Sequence, residues 1–262
     1  MRQKPHILAP ILVTAIVSAG LLSCVGHSER LTMEQTIPAA GADSLEVRTS
    51  NGSIHIRTGS TDQIEMVARY KASSERKKPP VRIRRDGNTI AIDARDDTHG
   101  LRIFPFFRNR SSVSLDLVVP ARFALEVRNV NGSIHVKGTA GAMQLTSVNG
   151  AIEVETPRAE VTAKTVNGHI RADFLEEFRG ARLKTVNGSV RISVPPNASL
   201  AVDVQQVNGS FRSNVPVTVN AGGSGSGGEF PLEVTTVNGS VTLHEREEKA
   251  APATSSANVT LK

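Results

Sequence analysis

Cysteine, tryptophan and tyrosine are nearly missing from this chain of 262 residues, which has one Cys, one Tyr, no Trp and 3% aromatic residues. A lone cysteine excludes an internal disulfide framework and any zinc site built on two or more thiolates. So few aromatics leave no stacking platform for single-stranded nucleic acid, and nucleic acid is not an expected partner. A strong excess of one charge is also lacking, with 31 Lys+Arg against 25 Asp+Glu. The hydrophobic share of 39% suffices for a folded core and does not fit a multi-span membrane protein.

What is present begins with a leader. Arg2 and Lys4 precede an uncharged, mainly apolar run from Ile7 to Leu22 that contains Pro10 and ends at Ser23-Cys24. It is too short for a comfortable span and has the order of a secretory signal, assigned to residues 1–23. Leu21-Leu22-Ser23-Cys24 resembles the bacterial lipoprotein cleavage box, in which the cysteine becomes the acylated first residue. The resemblance implies lipidation at Cys24 and a membrane partner through that anchor. Val25 stands where an Asp would signal inner-membrane retention, so outer-membrane sorting is expected. Removal of residues 1–23 takes Arg2 and Lys4 away and lowers the formal charge from +6 to +4. Residues 24–42 read as a polar tether, able to span roughly 60 Å when extended.

The main signal is a repeat. Asn-Gly occurs at Asn51-Gly52, Asn131-Gly132, Asn149-Gly150, Asn167-Gly168, Asn187-Gly188, Asn208-Gly209 and Asn238-Gly239. Val-Asn-Gly-Ser-Ile at 130–134 sets the pattern, and later copies such as Val186-Asn187-Gly188-Ser189-Val190 follow it. In steps of two, apolar residues stand before the turn, as Leu125 and Val127 or Ala181 and Leu183, and after it, as Ile134 and Val136 or Val190 and Ile192. A period of two on both sides predicts strand, tight turn, strand, with one apolar face. Asn and Gly suit positive φ, as a type I′ hairpin turn or a solenoid corner would require. Two before each Asn stands a small polar row that includes Thr49, Asn129, Ser147, Thr165 and Thr185. Its expected role is to hydrogen-bond corner backbone.

Two all-β architectures share this pattern. A β-solenoid of about 20-residue coils buries its apolar face between the two strands of each coil and stacks coils about 4.8 Å apart. The alternative is a β-sandwich of Asn-Gly hairpins; without amphipathic helices to cover a flat meander, that form needs a second sheet. The solenoid is favoured. Residues 43–120 form an N-terminal β region holding the first repeat, with strand-like runs at 63–70, 81–85, 89–94 and 113–119. Residues 121–244 hold the main repeats, with a Gly/Ser-rich insertion at 221–229 that lacks the order of a P-loop. Residues 245–262 read as a disordered tail.

The recurring Val-Asn-Gly-Ser-Ile unit behind a lipoprotein-type signal resembles the bacterial putative adhesin domain family of unknown function. The likeness spans about Asp43 to His244. It implies a repetitive, β-solenoid-like extracytoplasmic domain, and it brings no catalytic residues.

Catalytic chemistry finds little support. His55 and His135 occupy equivalent outward positions that other copies fill with Glu, Arg or Thr, as a solvated face does. No metal-ligand spacing or calcium nonapeptide occurs, and no cofactor is expected. Two features are candidate binding sites instead. Stacked coils would align Arg171, Arg191 and Arg212 on one face, and Arg128, Lys164 and Lys184 on another with Thr146 interrupting. Phe104, Phe106 and Phe107, framed by Arg102, Arg108 and Arg110, form the dense aromatic cluster, either a cap on the stack or a contact site. The expected function is a non-enzymatic envelope lipoprotein acting as an adhesin-like interaction module, whose partner is an anionic envelope polymer or another envelope protein. The alternatives are a structural or stress-associated component without a dedicated ligand and, remotely, a polysaccharide-processing β-helix enzyme.

The leader is tested by labelling cells with a radioactive fatty acid. The chain should take up label and sediment with membranes, and Cys24→Ser should lose both properties.

Overall fold

The computed structural model describes residues 30–60, 62–71, 81–95, 112–215 and 229–246. Among them every regular element is a strand, and the strands form one 10-stranded and one 9-stranded sheet. In each coil the strand before the Asn joins the 9-stranded sheet and the strand after the Gly joins the 10-stranded sheet. Neighbouring coils pair in parallel and in register: Val127 pairs with Leu145, Leu145 with Ala163 and Ala163 with Leu183, and across the core Ile134, Ile152, Ile170 and Val190 form the matching column. The two arms of a coil lie in different sheets and never pair, so the fold is a two-sheet β-solenoid and the hairpin sandwich is excluded.

The core lies between the sheets and follows the period of two read from the sequence. Val127, Leu145, Ala163, Ile134, Ile152 and Ile170 are fully buried. At the side opposite the Asn-Gly corners, the 174–180 connection tucks in Phe174 and Phe178, whose rings meet edge to face at 4.8 Å.

The spatial order of the coils departs from the chain order. Labelled by their asparagines, they run 51, 131, 149, 167, 187, 238, 208. The Asn238 coil is inserted between the Asn187 and Asn208 coils, in both sheets. The Gly/Ser-rich segment proposed at 221–229 lies mostly outside the described residues, which resume at Glu229.

Three domain boundaries need correction. Residues 24–42 are not a tether throughout, because Arg30–Pro38 is a strand, antiparallel to Gln63–Lys71, with Met33, Ile37, Ala39 and Ala42 buried. Leu31, Met33 and Ile37 share one face, and intervening Thr and Gln residues hide that alternation in the sequence. No break separates 43–120 from 121–244, since Val47 pairs with Val127 and Asn51 with Asn131. Residues 63–120 instead leave the first coil and close the end of the stack with strands Gln63–Lys71, Arg82–Asp86, Thr89–Ala94 and Val113–Pro120. The tail does not begin at 245 either: Glu245 ends a strand, and the Arg246 amide donates to the Val194 carbonyl at 2.9 Å.

The corners explain the invariant Gly of the repeat. Gly52 and Gly132 have positive φ, but Gly150 and Gly168 do not, and no corner Asn does. The type I′ rationale is therefore wrong, and the common reason is space. A Cβ on Gly168 would sit 2.1 Å from the Gly150 carbonyl oxygen, and one on Gly150 would sit 2.0 Å from that of Gly132. The backbones approach this closely because every corner Gly amide but that of Gly209 donates to the Asn carbonyl of the next coil, as Gly168 does to Asn187 at 3.0 Å. The small polar row does what the sequence suggested: Thr165 Oγ1 donates to the Gly150 carbonyl at 3.0 Å and Thr185 Oγ1 to that of Gly168 at 3.1 Å.

Gly168→Ala should therefore destabilise the protein by about 3 kcal/mol, as overpacking against rigid backbone does. Val166→Ser, two residues earlier and 40% exposed, should stay within roughly 0.5 kcal/mol of the parent. Urea denaturation of the two variants checks the contrast.

Candidate interaction faces

Three outward surfaces follow from this stacking. On the 10-stranded sheet, the position four after each Asn forms one continuous row. Its members are His55, His135, Glu153, Arg171, Arg191, Thr242 and Arg212, and Asp116 of Val113–Pro120 extends it beyond His55. Arg171 and Arg191 are adjacent as expected. Arg212 is not next to Arg191, because the inserted Asn238 coil places Thr242 between them. The three-arginine line is thus a pair and a separate third member.

The row changes character along its length. At one end Asp116 contacts His55 Nδ1 at 3.1 Å and also pairs with Arg69. Glu153 contacts both His135 Nδ1 and His169 Nε2 at 3.2 Å, and the His55 and His135 rings are 4.9 Å apart. His55, Asp116, His135 and Glu153, with Glu65 and Lys137, line a cleft of ≈ 310 Å³. From the sequence the two histidines read as equivalent positions on a solvated face. Their shared position four after the Asn was the signal that coil stacking brings them together. Among the described residues, no group of His, Cys, Asp and Glu is placed to hold a metal ion.

At the other end Arg171 Nε donates to Asp173 at 2.7 Å, and Ser193 Oγ donates to the second Asp173 oxygen at 2.8 Å. The hydrogen bond and charge of Asp173 raise the Arg171 pKa above its ordinary value. Arg191 and Arg212 have no carboxylate within ion-pair distance among the described residues.

The 9-stranded sheet carries the second row, three before each Asn. Arg48, Arg128, Thr146, Lys164, Lys184, Thr235 and Gln205 follow one another. Arg48 pairs with Glu46 and Arg128 with Glu126 inside their own strands. Lys164 and Lys184 are register neighbours, both exposed, and among the described residues neither meets a carboxylate.

The third surface is the corner itself. Each Asn side chain donates Nδ2–H to the Oδ1 of the coil before it, from Asn131 to Asn51 at 2.9 Å through to Asn208 on Asn238 at 3.0 Å. Beside this ladder runs a valine ridge, with Val130, Val148 and Val166 at 37–42% exposure and Val207 at 73%. The Val before six of the seven Asn was visible in the sequence, but its outward direction follows only from the corner geometry. Cys24, Phe104, Phe106 and Phe107 lie outside the described residues.

Residues 136–244 match the model of the family described as Toastrack DUF4097. The match bears out the resemblance read from the Val-Asn-Gly units, and the Asn51 and Asn131 coils that precede it continue the same stack. No curated protein matches the chain. Similar solved structures include a putative cell adhesion protein from Clostridium sporogenes ATCC 15579, at 11% identity and TM-score 0.49, covering 83% of this chain and 100% of that one. A putative adhesin from Bacteroides fragilis NCTC 9343 has 10% identity and TM-score 0.45, covering 82% and 97%. A putative lipid binding protein from Parabacteroides distasonis ATCC 8503 has 10% identity and TM-score 0.33, with the same coverage of 82% and 97%.

Asp173 is the buried member of the Arg171 network, so Asp173→Ala, which leaves Ser193 and Arg171 without their acceptor, should cost about 1–3 kcal/mol. Arg171→Gln should cost less than about 1 kcal/mol, because the guanidinium side is exposed. Denaturant midpoints of the two variants decide the order.

Proposed function

We propose that this protein is a non-enzymatic envelope module, held to the outer membrane through acylated Cys24, that engages an extended anionic partner along its outward sheet faces. The observation that carries this reading is the set of unpaired, in-register cations, with Lys164 beside Lys184 on one face and Arg191 near Arg212 on the other. Coils about 4.8 Å apart present these charges at regular intervals along the stack, and their potentials add at the surface. A polymer with repeated negative groups can meet several of them at once, whereas a small anion would meet one.

The carboxylates on these faces support binding over hydrolysis. Asp116 is engaged by His55 and Arg69, and Glu153 by His135 and His169. A glycosidase needs two carboxyl groups free to act on opposite sides of a sugar bond. Here Asp116 is instead engaged by Arg69 and His55, Glu155 by Lys137, and Glu153 by two imidazoles.

The test combines Lys164→Gln, Lys184→Gln, Arg191→Gln and Arg212→Gln in one chain, all at exposed positions. Retention of the parent on anionic vesicles or cell-wall material should fall as salt rises, because exposed charges are screened within roughly 10 Å at 0.1 M. The fourfold variant should lose most of that retention while keeping its denaturant midpoint. Equal retention of the two proteins would overturn the proposal.

A further inference from the structure

Asn-Gly is the most easily deamidated dipeptide in polypeptide chemistry, because glycine leaves its amide nitrogen open to attack the neighbouring side-chain carbonyl. This chain carries seven such pairs in one column, and the structure does not treat them alike. In the five interior copies the side chain is held on both sides, donating through Nδ2 to one asparagine and accepting at Oδ1 from the next. The nitrogen that would attack is also occupied: Gly132, Gly150, Gly168, Gly188 and Gly239 donate to the Asn carbonyl of the following coil at 2.9–3.0 Å.

The two ends of the ladder differ from each other. At the first end, Asn51 accepts from Asn131, and the Gly52 amide still donates to the Asn131 carbonyl at 2.9 Å. At the far end both protections stop. Asn208 donates to Asn238, but nothing among the described residues donates to its Oδ1, and the Gly209 amide has no acceptor. Val207, Asn208, Gly209 and Ser210 are all exposed.

We propose that Asn208-Gly209 is a site of spontaneous covalent modification, at which the Asn208 amide becomes a carboxylate through an intramolecular succinimide. The Gly209 nitrogen, its proton taken up by hydroxide, attacks Cγ of Asn208. The N–Cγ bond forms, the Cγ–Nδ2 bond breaks, and Nδ2 takes a proton from water and leaves as ammonia, which regenerates the hydroxide. Water then opens the ring at one carbonyl or the other, giving aspartate or isoaspartate. No oxidant or reductant enters. The product places a negative charge on the outermost coil and takes away the donor that Asn238 Oδ1 received.

The experiment incubates the folded mature chain in mildly alkaline buffer and follows the amide-to-acid mass change at all seven asparagines by peptide mapping. Isoaspartate is scored separately with an isoaspartyl methyltransferase. Asn208 should hold most of the converted material, in both aspartate and isoaspartate forms, with the other six at background. The same chain in denaturant should convert all seven at comparable rates, which shows that the stack supplies the protection. Conversion of Asn51 or any interior copy as fast as Asn208 in the folded chain would overturn the proposal, as would Asn208 conversion without isoaspartate. Absence of any conversion in the folded chain, while the denatured chain converts, would overturn it equally.

Discussion

The close approach of one glycine carbonyl to the next glycine is the constraint on which this molecule depends. A Cβ placed on any of the interior corner glycines would lie 1.9–2.2 Å from the carbonyl oxygen of the neighbouring coil. Only glycine permits that distance, and only that distance lets the corner amide, the threonine hydroxyl and the asparagine side chain all reach the adjacent coil together. The corner is thus satisfied by neighbours rather than by water, in keeping with the cost of leaving backbone groups unpaired. Once the corners stack in register, the arms on both sides must stack in register too, and the two sheets follow.

In-register parallel stacking has an electrostatic consequence, for whatever charge one coil carries, its equivalent lies one strand away. Like charges directly opposite each other destabilise a sheet. The molecule manages this in two ways. In the 9-stranded sheet, Arg48 and Arg128 are each neutralised within their own strand by Glu46 and Glu126. In the 10-stranded sheet, charge changes along the row, from Asp116 through two histidines to Glu153 and then to arginines, of which Arg171 is compensated by Asp173. Lys164, Lys184, Arg191 and Arg212 are where neither device operates.

Much of this was legible in the sequence. The period of two on both sides of each Asn-Gly gave the buried columns, and strand runs at 63–70, 81–85, 89–94 and 113–119 agree with the observed strands to within about a residue or two. The small polar row was correctly tied to the corner backbone. The reason for the glycine was not legible, because positive φ and close approach demand the same residue and only the structure separates them. Arg30–Pro38 was missed since Gln35 interrupts its apolar side and Thr32, Glu34 and Thr36 fill the other, so that a strand closing an end looks like polar linker. The contact of His135 and His169 with a common Glu153 was missed because it depends on which coils are neighbours, a long-range fact that no local pattern contains.

The exchange of coil order answers a thermodynamic problem that every stack of repeats faces, namely which coil is to lie outermost. An end coil is covered on one side only, so a terminal repeat is best made of polar residues. The Asn208 coil departs from the pattern in that direction, with Gln206 in place of the small hydroxyl residue and Ser213 in place of an aliphatic. Its Val204 and Phe211 are only half-buried. The Asn238 coil keeps the full set, and Leu232, Val234, Thr236, Val241 and Leu243 are all buried. Burying a large aliphatic contributes about 1.5–3 kcal/mol over leaving it exposed, so stacking in chain order would place the richer coil at the open end and forfeit several such contributions. Insertion of the later coil between its two predecessors avoids that loss. The 30-residue interval between Asn208 and Asn238, the longest among the consecutive main repeats, falls where the order of the described coils is reversed.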